Sequence, residues 1–225
     1  MGRRLAVITL AVVVAAVCVR LGFWQLDRLQ QRRASNDRIR TGLGAASMVL
    51  GGAPGPGAAH RRASAIGMYD ITGEVVLFGR SFEGRAGDHL LTPLRLPDGT
   101  ALLVDRGWVP TGVRPPPADG VVRVEGFLLP PEPAVGGAPT SEQVIAVDPG
   151  EIERGLPYEL APVYLLLQEQ SPPSGVLPRP APLPELSEGP HLSYAIQWFS
   201  FAGVALAGGT VLFRREGRAG TAGAE

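Results

Sequence analysis

Two long apolar runs, one at each end of the 225-residue chain, constrain this protein more than any other feature. The first covers Leu5–Leu26 with one interruption at Arg20, and the second covers Leu192–Phe213. A helix of about 22 residues is roughly 33 Å long, which is enough for a hydrocarbon core of about 30 Å. We therefore predict transmembrane helices at residues 5–26 and 191–213.

The first run also has features of a signal peptide, because Arg3 and Arg4 precede an apolar stretch of fifteen residues, 5–19. Cleavage near Arg20 would make the protein a secreted binding module. No small-x-small cleavage site leads into a polar start, however, and Trp24 sits where an interfacial aromatic belongs. We therefore favour an uncleaved anchor.

Arginines flank the outer ends of both runs, which predicts that both termini, residues 1–4 and 214–225, lie in the cytoplasm. Five more arginines follow the first helix on the opposite side, but long loops translocate largely regardless of charge. The flanking set comprises Arg3, Arg4, Arg214, Arg215 and Arg218, and the opposing set comprises Arg28, Arg32, Arg33, Arg38 and Arg40.

The middle of the chain has a β pattern. Short runs rich in Val, Leu and Ile indicate strands at Ala65–Phe78, Leu90–Leu96, Leu102–Trp108, Val121–Leu128 and Tyr164–Gln168. Pro97-Asp98-Gly99 predicts a hairpin turn between the second and third runs. Asp148, followed by Pro149 and Glu151, predicts the start of a two-turn helix that ends at Gly155.

These patterns predict an α+β membrane protein, with two transmembrane helices flanking a mostly antiparallel-β extracytoplasmic domain that has one short helix. The β-rich domain is expected at 65–170. An Arg-rich juxtamembrane segment and a Gly-rich connector should precede it at 27–64, of which Thr41–Ala59 reads as irregular. Residues 171–190 contain seven prolines and are expected to form an extended tether back to the membrane.

Composition and motifs argue against several function classes. The 21 basic residues balance the 21 acidic ones, so the net charge of the chain does not indicate nucleic-acid binding. The only cysteine, Cys18, lies inside the first apolar run, so no intrachain disulfide can form. The sequence has no phosphate-binding glycine loop, no paired-Cys metal spacing and no nucleophile elbow. A non-enzymatic protein is therefore expected.

Candidate chemistry is concentrated where the two helices meet the bilayer surface. The first helix presents polar and aromatic residues there, and the second presents an aromatic face headed by His191. An imidazole in that position could be an axial haem ligand, and the arginines could form ion pairs with the haem propionates. An ordinary interfacial aromatic belt is the alternative reading. The residues are Trp24, Gln25, Arg28, Gln31 and Arg32 on the first helix, and His191, Tyr194, Trp198 and Phe201 on the second.

Several of these motifs, in this order, resemble the surfeit locus protein 1 family. The first helix reads Leu-Gly-x-Trp-Gln-x-x-Arg at Leu21–Arg28, and the second begins His-Leu-x-Tyr-Ala-x-x-Trp-Phe at His191–Phe199. Between them lie Gly67–Asp70, Thr92–Leu94 and an Arg-Gly-Trp motif at Arg106, Gly107 and Trp108. The chain departs from the family pattern at Gln31, Asp105 and Pro190, where Trp, Asn and Asn are common.

The resemblance implies an assembly factor for haem-copper cytochrome c oxidase in the inner membrane of a bacterium. It further implies a role in handling haem a for the catalytic subunit, with His191 as candidate iron ligand. A cofactor-free scaffold or accessory subunit that binds oxidase subunits is the alternative. Arg106, Gly107 and Trp108 could form a docking surface, but we favour a structural role in which Gly allows a bulge and Arg pairs with a carboxylate.

Overall fold

A computed structural model describes residues 2–132 and 143–221, together with the side chains of most of them. The chain divides into two compact units, a helical unit of residues 1–37 and 186–225 and a β unit of residues 38–185. Part of the expected cytoplasmic tail and residues 133–142 of the expected β-rich domain lie outside the described residues.

The helical unit contains the long helix α3 (His191–Thr221) and most of α1 (Gly2–Gly44), whose residues 38–44 belong to the β unit. Both are long and apolar enough to cross a membrane by length and composition, with mean hydropathy of 2.5 and 1.5 over their most apolar windows. They pack through small residues: Ala15, Cys18 and Ala202 form a buried cluster with Trp198 against it. Small side chains allow helix backbones to approach closely.

Helix α1 extends well beyond the predicted apolar span. The helix continues to Gly44, so the Arg-rich segment after residue 26 is helical. Our prediction that Thr41–Ala59 is irregular is therefore wrong for its first residues. Between Gly22 and Gly42 the sequence has no Gly or Pro to end a helix. A stripe of buried residues at helical spacing, Leu29, Asn36 and Ile39, continues the packed face of α1.

Eight strands make up the sheet of the β unit among the described residues: β1 (Met48–Leu50), β2 (Arg62–Tyr69), β3 (Val75–Phe82), β4 (Arg85–Arg95), β5 (Ala101–Pro110), β6 (Val121–Leu129), β7 (Gln143–Val144) and β8 (Leu160–Ser171). The order is β1-β2-β6-β8-β5-β4-β3-β7, and an additional β2–β4 pairing closes the five strands β2, β6, β8, β5 and β4 into a ring. Five of the eight described pairings are antiparallel and three are parallel, so the sheet is mixed.

Both faces of β5 are buried, which explains the apolar run Ala101–Val104 at its start. Leu102 and Val104 point into one core cluster, whereas Ala101 and Leu103 point into a second cluster beside the short helix α2 (Pro149–Glu153). Alternate residues of a strand point to opposite faces, so a strand covered on both sides has no polar alternation.

Two local predictions are confirmed and one is wrong. The β4–β5 hairpin turns at Gly99 with φ of +90°, and the Asp148 side chain accepts from the amides of Gly150 and Glu151 at the start of α2. The single run predicted at Ala65–Phe78 is two strands. A 3-10 turn at Ile71–Gly73 separates β2 from β3, because the Asp70 carboxylate accepts from the Thr72 amide and ends the extended conformation.

Candidate functional site

The candidate site lies in the helical unit, where His191 opens α3 beside α1. The His191 Nδ1 atom lies 2.8 Å from the Gln25 Oε1 atom. Gln25 is a buried residue with 9% of its surface exposed, while His191 is half-buried. The two residues belong to the two helix-end motifs that the sequence singled out, and the structure brings them into direct contact.

A second contact between these motifs is a steric fit. A Cβ atom built on Gly22 would lie 2.7 Å from the Phe199 ring, so only glycine leaves room for that ring. Phe199 also meets Phe23 edge-on, with ring centroids 5.5 Å apart. Because Gly22 and Gln25 are separated by three positions, both face α3, and their partners Phe199 and His191 lie two turns apart on α3.

An ion pair fastens the segment before His191 to α1. Arg33 donates to both carboxylate oxygens of Glu188, with Nε–Oε1 at 3.0 Å and Nη2–Oε2 at 2.9 Å. Both side chains are about half-exposed. A fork-to-fork pair of this kind restricts orientation as well as distance. We did not anticipate it from the sequence, since only the polarity of the two positions pointed to it.

The other predicted site residues are distributed over more than one face. Trp198 packs against the α1 cluster of Ala15 and Cys18 and meets Phe201 edge-on at 5.8 Å. Trp24 and Tyr194 each keep nearly half of their surface exposed. The predicted aromatic face of α3 is therefore split, with Trp198 turned towards α1 and Tyr194 on the exposed side.

The two predicted arginines lie on the exposed surface of α1. Both Arg28 and Arg32 are exposed, and Arg28 donates to the Gln31 side chain at 2.9 Å. At about 1.5 Å per residue, Arg28 and Arg32 follow Gln25 by roughly 4.5 and 10.5 Å along the α1 axis. At 100° per residue, they lie about 60° and 20° from Gln25 around the helix. The site thus has cationic groups on the same side of α1 as the His191 contact.

The arrangement fits an imidazole–iron bond. In a neutral imidazole one ring nitrogen carries the proton and the other carries a free lone pair. The hydrogen bond made by one nitrogen determines which of the two is protonated. With Nδ1 engaged by Gln25, the other nitrogen of His191 is the one left for a ligand. Gly189 lies beside this edge of the ring: a Cβ atom built on it would be 3.6 Å from Nε2, an ordinary van der Waals distance.

The Arg-Gly-Trp motif belongs to the β unit. Arg106 is buried and donates from Nη1 to Glu74 at 2.8 Å, and its Nη2 reaches the carbonyl oxygens of Pro115 and Pro116. The β4–β5 register shifts here, so that two residues, 106 and 107, oppose one on β4. Gly107 has φ of +109°, and Trp108 stacks on Phe82 at 5.8 Å.

A buried polar pair that the sequence did not reveal joins β5 to β4. The Asp105 carboxylate lies 2.8 Å from His89 Nδ1 through one oxygen and accepts from the Gly107 amide through the other. Tyr69 lies near the Arg106 guanidinium, and burial raises the pKa of its phenol well above the usual range. Among residues 2–132 and 143–221, no cluster of three metal-ligating side chains occurs.

Comparison with known proteins gives a consistent result. The model of the SURF1 family matches residues 12–203, which include both helix-end motifs. Uncharacterised SURF1-like proteins of Mycobacterium bovis and Mycobacterium tuberculosis are 32% identical to this chain over 216 residues, covering 86% of this chain and 78% of each relative. A SURF1-like protein of Monosiga brevicollis is 27% identical over 226 residues, covering 91% of this chain and 86% of the relative.

Proposed function

This chain belongs to the SURF1 family, and on that premise we propose that it is a membrane-bound assembly factor for haem-copper cytochrome c oxidase. Members of the family generally act in oxidase assembly. In this proposal α1 and α3 cross the inner membrane of a bacterium, both termini are cytoplasmic, and the β unit is extracytoplasmic. The protein is not an enzyme; it holds haem a for the catalytic subunit.

The contact between His191 and Gln25 carries the haem proposal. It engages Nδ1 of a half-buried imidazole at the junction of two apolar helices, so the second ring nitrogen is the one that a metal could take. When bound, haem a would supply an iron that takes an imidazole nitrogen as a ligand. His191 would be the ligand, and Arg28 and Arg32 would pair with the carboxylate groups of the porphyrin.

Visible absorption of the purified full chain tests this proposal. The protein is co-expressed with the enzymes of haem a synthesis and purified in detergent. We expect a Soret band in the wild type that His191→Ala weakens strongly. His60→Asn removes a histidine from the β unit and should leave the band unchanged. A colourless wild type, or a band that survives His191→Ala, would overturn the haem assignment.

A cofactor-free scaffold is the second candidate, and one feature of α3 favours it. Gly209 faces α1, where its Cβ would lie 2.5 Å from Ala11, whereas no atom of the described residues lies within 4 Å of a Cβ built on Gly203. Gly203 and Ala207 are exposed small residues four positions apart, a spacing that permits close approach of another helix.

Substitutions on α3 separate the two candidates. The scaffold predicts that Gly203→Leu impairs co-purification with the oxidase while His191→Ala leaves oxidase assembly intact. Haem delivery predicts the reverse pattern. Gly209→Leu is the control for damage to the α1–α3 packing itself, which should lower the stability of the helical unit in either case.

A further inference from the structure

Among the described residues, the Gln25 side chain makes its hydrogen bond with the ring of His191. Its amide oxygen lies 2.8 Å from Nδ1, and only 9% of the residue is exposed. An amide oxygen accepts hydrogen bonds and cannot donate them, so this contact requires the proton of a neutral imidazole to be on Nδ1. The lone pair is then on Nε2, at the edge of the half-buried ring beside Gly189.

We propose that Gln25 is a positioning residue that holds His191 in the Nδ1-protonated form, with Nε2 aimed at the ligand. This inference rests on the proposed function, since it names the residue that prepares the imidazole for haem iron. Gln25 touches neither the iron nor the porphyrin in this role. It acts through the ring of His191, as the outer partners of metal-ligating histidines commonly do.

The surrounding contacts make this orientation specific. The Arg33–Glu188 pair fastens the segment before α3 to α1, and the Phe199 ring fills the space left by Gly22 one turn below Gln25. The Ser193 hydroxyl donates to the Pro190 carbonyl at 2.8 Å in the first turn of α3. These contacts order the chain before and after His191, and the hydrogen bond to Gln25 orients its ring.

The choice of an amide has a chemical consequence for the iron. A neutral amide accepts the Nδ1 proton weakly, so the imidazole stays a moderate electron donor. A carboxylate at the same position would draw that proton more strongly, make the ligand more basic and favour ferric over ferrous iron. Gln25 therefore keeps the bound haem at a higher reduction potential than a glutamate would.

Two variants of the full-length protein test the proposal through haem. Gln25→Leu keeps the size but removes the acceptor, and we expect haem retention about 10–100-fold weaker. Gln25→Glu should retain haem but shift its midpoint potential downward. Gln30→Glu adds the same charge at an exposed position five residues further along α1 and should leave the potential unchanged. Equal retention in Gln25→Leu, or equal shifts in the two glutamate variants, would overturn the proposal.

A second measurement needs no haem. The chain has three histidines, so ¹⁵N labelling of histidine gives a simple spectrum, in which loss of signals in His191→Ala assigns that residue. We expect His191 to be protonated on Nδ1 in the wild type and to exchange between both forms in Gln25→Leu. If the wild type binds no haem but shows this difference, the proposed function fails and the positioning role stands. If the two proteins show the same tautomer, the positioning role fails.

Discussion

Replacing Arg106 by methionine should strongly destabilise the β unit. The Arg106 side chain is 1% exposed and the Glu74 side chain is 8% exposed, and their Nη1 and Oε2 atoms are 2.8 Å apart. The variant keeps the apolar volume but leaves the Glu74 carboxylate buried, with the Thr92 hydroxyl at 2.6 Å as its remaining donor among the described contacts. Removing one partner of a buried ion pair costs about 3–5 kcal/mol.

The size of the β unit converts this cost into a temperature. For a unit of about 150 residues, each kcal/mol lowers the unfolding midpoint by about 2–4 °C. Arg106→Met should therefore lower the midpoint by roughly 6–20 °C, measured by far-ultraviolet circular dichroism on the full-length protein in detergent. The control is Arg123→Met on β6, because Arg123 is exposed and its loss should change stability by about 0.5 kcal/mol or less.

A second substitution checks the stated cause. Glu74→Gln removes the buried charge that Arg106→Met leaves without its partner, so the double variant should recover part of the loss. The coupling energy of the double-mutant cycle should be about 1–3 kcal/mol. A midpoint within about 2 °C of wild type for Arg106→Met would refute the argument. Strictly additive losses in the double variant would refute it as well.

Two further predictions concern the β unit. Gly107→Ala should speed hydrogen exchange of the Trp108 amide, because φ is +109° there and the new Cβ would lie 2.0 Å from the Arg179 carbonyl oxygen that accepts from that amide at 2.7 Å. Gly112→Ala carries a similar strain, with φ of +81°, but its Cβ would meet no atom of the described part of the chain within 4 Å. Equal exchange in both variants would therefore contradict the clash. Burial and the charge of Arg38 lower the pKa of His60 in the folded protein. Below about pH 6.5 the unfolded chain therefore binds a proton more readily than the folded one, and stability should fall as the pH decreases. His60→Asn tolerates the φ of +63° and should flatten this dependence between pH 7.5 and 5.5 in denaturant titrations; an unchanged slope would exclude His60 as its source.

Features set by neighbouring residues could be predicted from the sequence. The apolar runs predicted two helices, Pro97-Asp98-Gly99 predicted the hairpin, and Asp148 predicted the start of α2. Each of these sequence patterns determines the conformation of the residues that form it or lie next to it. The closure of five strands into a ring was not predictable. The β2–β4 pairing that closes the ring involves two residue pairs, Met68 with Arg95 and Tyr69 with Leu94. The spacing of apolar residues along the sequence does not predict which strands pair.

The candidate site shows the same division. Residue types at helical spacing drew attention to Gln25 and His191, but not to their contact, which joins positions 166 apart. Likewise the Arg33–Glu188 pair spans 155 positions. Spacing along a helix determines which residues share a face, whereas the pairing of faces depends on how two helices pack and on steric details such as the Phe199 ring against Gly22. The sequence by itself determined where the helices and their polar ends lie, and the tertiary structure decided that one glutamine would meet one histidine.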